Sequence, residues 1–133
     1  MVKKKFLVGM VAAGLAIGGS LACLAPAQAA ISTNCGYSAA VPRAAGTGLA
    51  STSASVTCTG TVKATKITAT LRRGGTAIQS FTTSVAAGAP SLSASGTGSC
   101  LTTSTNSYTT YATAVDWNGG TSSKSSAAAS LKC

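Results

Sequence analysis

Asp116 is the only carboxylate in this 133-residue sequence, and there is no histidine. Acid–base work by a carboxylate pair therefore has no second partner. The one arrangement that superficially resembles a nucleophile with its base is Thr121-Ser122-Ser123-Lys124, an S-x-x-K spacing with threonine in the nucleophile position. In a serine-rich tract that match arises by composition, and its companion motifs are missing. No C-x-x-C pair or Cys/His cluster provides zinc ligands, so neither a metal nor a cofactor is expected. Asp116 lies just before Asn118-Gly119 and reads as a turn-flanking residue whose side chain bonds nearby backbone. The sequence points away from an enzyme and offers no catalytic residue.

Recognition is better provided for. Lys63, Lys66, Arg72 and Arg73 fall close together, with Lys66 and Arg72 on the polar parity of one predicted strand and Arg73 at the adjoining turn. Such a stripe attracts anionic polymers or lipids. It also serves as a solvated face that discourages edge pairing. Nucleic acid is not an expected partner, because no aromatic residues interleave with these cations and the chain carries an export signal. Tyr108, Tyr111 and Trp117 form an aromatic group along one strand and its turn. Tyr111 and Trp117 are expected in the core, and Tyr108, on the opposite parity, is expected as an exposed contact.

The elements that would hold these residues begin after an export signal. Lys3, Lys4 and Lys5 precede an apolar stretch from Phe6 to about Leu24, and Ala27-Gln28-Ala29 forms an A-x-A site. Cleavage is expected between Ala29 and Ala30, giving residues 1–29 as signal peptide and 30–133 as one secreted domain. The alternatives are an uncleaved anchor and a lipoprotein cut at Cys23. The second is disfavoured because Ser20 occupies the aliphatic lipobox position. After cleavage no transmembrane segment is expected.

Only 14 Leu, Ile, Val and Phe residues occupy positions 30–133, a fraction associated with disorder when charge is high. Net charge there is a modest +6, and Cys35, Cys58, Cys100 and Cys133 remain for two disulfides. Each bridge stabilises a fold by roughly 3 kcal/mol in the chain-entropy picture. Three connectivities are possible and spacing alone does not select among them. Pairing of sequence neighbours, Cys35–Cys58 and Cys100–Cys133, is the one expected.

Period-two alternation argues for strands. Ala54, Val56, Cys58, Gly60 and Val62 alternate with Ser55, Thr57, Thr59, Thr61 and Lys63; Ile67, Ala69 and Leu71 alternate with Lys66, Thr68, Thr70 and Arg72. Gly74-Gly75 supplies a hairpin turn. Residues 77–85 form a weaker strand, followed by a break over 86–90. Further alternation covers 92–100, 107–117 and 127–133, with Asn118-Gly119-Gly120 as a turn. Cys58, Cys100 and Cys133 each fall on the apolar parity of their strands, which suits bridges between facing sheets. The pattern predicts an all-β, antiparallel Ig-like β-sandwich of six or seven strands.

With its signal peptide, Ser/Thr/Ala/Gly-rich strands, Cys58-Thr59-Gly60 and terminal Leu131-Lys132-Cys133, the chain resembles small secreted proteins of actinomycete-type bacteria. That resemblance implies a class, mostly of unknown function, and assigns no functional residue. The expectation is a secreted, non-enzymatic binding or surface-associated module. Lys66, Arg72, Arg73 and Tyr108 are its candidate contacts, and an anionic cell-surface polymer or a protein is its partner. The alternative is a secreted inhibitor or antibacterial effector that engages a protein or membrane target through Trp117-Asn118-Gly119-Gly120.

Overall fold

The computed structural model describes residues 29–133. The expected signal segment up to Gln28, with Cys23, lies outside the described residues. The described chain is all-β: β1 (Cys35–Ala39), β2 (Arg43–Gly46), β3 (Leu49–Cys58), β4 (Ala64–Arg73), β5 (Thr76–Ala89), β6 (Ser91–Ser99), β7 (Asn106–Asp116), β8 (Thr121–Ser125) and β9 (Ala129–Leu131). Two antiparallel sheets result. Sheet A runs β9-β7-β4-β5, with β8 also on β7; sheet B runs β1-β3-β2, with β6 also on β3.

Each sheet has one edge line made of two pieces. β1 and β2 both pair with β3, opposite residues 54–58 and 49–51. Between them lies buried Pro42, which has no N–H to donate to the ladder. β8 and β9 divide the free edge of β7 in the same way. There Ser126 interrupts the line, its hydroxyl accepting from Thr110 N at 3.0 Å and its own N–H donating to Thr110 O at 2.8 Å. The described residues thus form nine strands where six or seven were expected, because each sheet has one edge line broken into two pieces.

The alternation seen in the sequence places the core. Ala50, Thr52, Ala54, Val56 and Cys58 of β3 face inward, as do Ile67, Ala69 and Leu71 of β4 and Leu92 and Ala94 of β6. Most of these side chains are small, so the sheets approach closely. At the centre, Thr52 and Thr110 share a buried hydroxyl–hydroxyl bond of 2.7 Å from one sheet to the other. That bond satisfies two polar groups that would otherwise be costly to bury.

β4 and β5 turn at Gly74-Gly75, whose φ angles of 57° and 87° suit a two-residue hairpin of matching twist. β6 closes the same side of the sandwich against β5. The Phe81 ring lies where a Cβ on Gly96 would stand, and Leu71 and Gln79 crowd Gly98.

Both expected disulfides are present, Cys35–Cys58 and Cys100–Cys133. Their roles differ from the expectation that bridges join facing sheets. Cys35 and Cys58 are direct cross-strand partners in sheet B, with Cα atoms 4.0 Å apart, so this bridge staples one sheet to itself. Cys100 follows β6 of sheet B and Cys133 follows β9 of sheet A, so the second bridge does tie the two layers at one end.

Because Phe81 fills the space above Gly96, Gly96→Ala forces that ring to move. We expect a loss of about 1–3 kcal/mol in urea unfolding. An unchanged midpoint would show that β5 and β6 do not pack as described.

Candidate functional site

β7 carries the chain's carboxylate to a turn. Its inward residues are Tyr108, Thr110, Ala112, Ala114 and Asp116, all buried. Asp116 is only 3 % exposed and accepts three backbone N–H bonds: Oδ1 from Asn118 (2.9 Å) and Gly120 (2.9 Å), Oδ2 from Ser32 (2.8 Å). Backbone bonds from Asp116 N to Gly120 O, Gly119 N to Asp116 O and Trp117 N to Lys63 O complete the turn. The expected turn-flanking role of Asp116 is what the geometry provides, with one addition: Ser32 brings in the N-terminal segment. That segment is also held by Thr121 N donating to Ala29 O (2.9 Å) and Ile31 N donating to the Ser122 hydroxyl (3.0 Å).

Trp117, expected in the core, stands 49 % exposed at the tip of this turn. The reason lies in the phase of β7. Tyr111 and Val115 belong to the outer face, and the space opposite the inner face is filled by small residues of sheet B. Trp117 follows the last ladder position and leaves the sheet with the turn.

Tyr108 is corrected in the opposite direction. Expected as an exposed contact, it is 0 % exposed and packs with Ala50, Leu71 and Cys100 beside the second disulfide. Its hydroxyl accepts from Leu101 N at 2.9 Å, pinning the β6–β7 connection. A site so enclosed is structural, and Tyr108 presents nothing to a ligand.

The basic stripe does not act as one patch. Arg72 lies on the outer face of sheet A, its Cζ 4.1 Å from the Tyr111 ring centroid, a cation–π arrangement. Its Nε is buried without a hydrogen-bond partner. Lys66 is exposed on the same face at the far end of β4, roughly 20 Å away at the usual rise of a strand. Arg73 falls on the other parity, opposite Tyr108. Lys124 places its Nζ 4.8 Å from the Tyr37 ring, and Tyr37 donates to Ser123 O at 3.2 Å, closing the lateral gap between β1 and β8. Thr121 and Lys124 are three apart on a strand, so they project to opposite faces and form no nucleophile–base pair.

Elsewhere the surface is rich in hydroxyls. A depression of about 420 Å³ on the outer face of sheet B is lined by residues including Val41, Arg43, Ser51, Ser53, Ser95 and Thr97. It holds no carboxylate or thiol. Among the described residues, no group of three His, Cys, Asp or Glu side chains converges to hold a metal. No protein-family model matches this chain, and no curated protein and no solved structure matches it either.

Replacing Asp116 by Ala leaves three buried N–H groups without their acceptor. We expect a stability loss of roughly 3 kcal/mol in denaturant titration, with loosened amide-exchange protection at Ser32, Asn118 and Gly120. Protection unchanged at those amides would contradict the pinned turn.

Proposed function

We propose that this chain is an exported, non-enzymatic binding module of Ig-like topology that associates with anionic polymers of a bacterial surface. One observation carries the reading. The sole carboxylate is buried in a turn, so every charged side chain on the described surface is a cation: Arg43, Lys63, Lys66, Arg72, Arg73, Lys124 and Lys132. None has an acidic side chain to pair with, and the field they produce is unopposed. Support for the Ig-like topology comes from consecutive antiparallel lines divided between two sheets. The Tyr108 hydroxyl bonded back to Leu101 at the β6–β7 corner supports it too, as a tyrosine corner would. The two disulfides suit an oxidising compartment.

Retention on an anionic wall polymer should weaken roughly tenfold or more between 50 and 200 mM salt, by analogy with other polyanion binding. Replacing Lys66, Arg72 and Arg73 together by Gln should weaken it further at fixed salt. Retention indifferent to both salt and these replacements would remove the polyanion reading.

A second reading, an inhibitor or antibacterial effector acting on a protein or membrane target, is favoured by Trp117. A large aromatic on a rigid, protruding turn is a common recognition anchor. This reading requires that Trp117→Ala abolish inhibition in protease, amylase or growth-competition assays, and an absence of inhibition by the unaltered protein retires it.

A further inference from the structure

One end of sheet A gathers exposed apolar groups and lysines in an arrangement that the alternation does not announce. β4 and β5 pair Ala64 with Ala89 and then Lys66 with Ser84, so two steps along β4 face five along β5. The surplus is thrown out as a bulge at Val85, Ala86, Ala87 and Gly88. Val85 is 36 % exposed, and both alanines are exposed. Across β4, Trp117 leaves β7 immediately after Asp116, the partner of Ala64.

Lys63 joins the two protrusions. Its carbonyl accepts from Trp117 N at 3.0 Å, and its Cβ is so near Gly88 that a side chain there would stand 2.6 Å away. Lys66 flanks the bulge on the outer face. The result is an apolar tip with two ammonium groups beside it and no acidic side chain exposed nearby. The chain enters the domain at the same end, since Ala29 O accepts from Thr121 N next to the Trp117 turn.

We infer that this tip, formed by Trp117, the Val85–Gly88 bulge, Lys63 and Lys66, rests on an anionic lipid bilayer. The inference builds on the cationic-surface reading above and names a different occupant for one part of that surface. Indole is favoured at the boundary between headgroups and acyl chains, where its ring is apolar and its N–H remains wet. Lysines beside it keep their ammonium groups among anionic headgroups while their stems lie along the apolar tip. A neutral protein surface would satisfy the tryptophan but give less to the lysines, and a protein surface lacks the apolar layer beneath its charges into which indole settles. No helix among the described residues is long and apolar enough to cross a membrane.

Trp117 is the only tryptophan, so its fluorescence reports the tip directly. The oxidised protein, as cells process it and with its N-terminus verified by mass spectrometry, is titrated with phosphatidylglycerol and with phosphatidylcholine vesicles. Emission should shift to the blue and be quenched by shallow acyl-chain quenchers with the anionic vesicles only. By vesicle sedimentation, Lys63→Gln with Lys66→Gln should weaken binding roughly thirtyfold, at about 1 kcal/mol per lysine. Trp117→Ala should weaken it roughly tenfold without lowering Tm.

Solvent-like Trp117 emission at vesicle concentrations that sediment the protein overturns the inference. So does Trp117→Ala sedimenting like the unaltered protein. Retention on wall polymer, run in parallel with the same variants, separates the two readings. Salt-sensitive polymer binding that persists while vesicle binding fails removes only the bilayer contact; loss of both removes the cationic-surface reading as well.

Discussion

The constraint on which the rest of this structure depends is the smallness of the side chains between its sheets. Ala50, Ala54, Ala69, Ala94, Ala112 and Ala114 occupy inward positions and are buried. Alanine buries little apolar surface, so each residue adds little to the hydrophobic drive. The two cross-links act against the entropy of the unfolded chain instead, and they sit where they matter. One fixes the register of β1 on β3; the other ties β6 to the end of β9 and so holds the layers together. Polar devices supplement them: the Thr52–Thr110 bond at the centre, the Tyr108 hydroxyl on Leu101 and the Asp116 carboxylate on three amides.

The proposed function rests on how those devices engage the reactive groups of the described residues. The single carboxylate serves as an anchor for the turn and for the N-terminal segment, and the four cysteines among the described residues serve as cross-links. What remains outside is hydroxyl groups, alanine, unopposed cations and a few larger apolar groups, Trp117 among them. Arg72 and Lys124 lie against the aromatic rings of Tyr111 and Tyr37, which holds two of those cations to the surface of the sandwich. The turn fixed by Asp116 then carries Trp117 outward in a defined place. A rigid aromatic on a cationic body is suited to holding a partner at a surface, whether polymer, bilayer or protein.

Much of the architecture was legible in the sequence. Alternation over 54–58, 66–72 and 92–100 located three strands and their buried faces, Gly74-Gly75 marked the hairpin, and the sulfur pairing matched that of sequence neighbours. The phase of β7 was not legible from hydrophobicity. Both of its faces carry an aromatic residue, and the inward set is Tyr108 with threonine and alanine. Ranking the faces by bulk sent Trp117 inward and Tyr108 outward, whereas fit against a thin alanine core required the reverse. The break expected over 86–90 falls on the β5 bulge, but the strand resumes at Ala89 where the sequence suggested an end, because Val85, Ala86 and Ala87 look alike whether they pair, protrude or leave the sheet. The split edges depended on Pro42 and Ser126, whose effect needs a partner strand to interrupt. Asp116 was readable as a turn residue, but its bond to Ser32 joins positions 84 apart, and no local pattern signals it.

An alanine-lined sandwich held by sulfur is tested most directly by thermal unfolding followed by near-ultraviolet circular dichroism, with and without a thiol reductant. The account predicts that the oxidised protein melts cooperatively. Once both cystines are opened, the aromatic signal of buried Tyr108 should collapse already at room temperature. A reduced protein that keeps this signal and melts at the same temperature would contradict it.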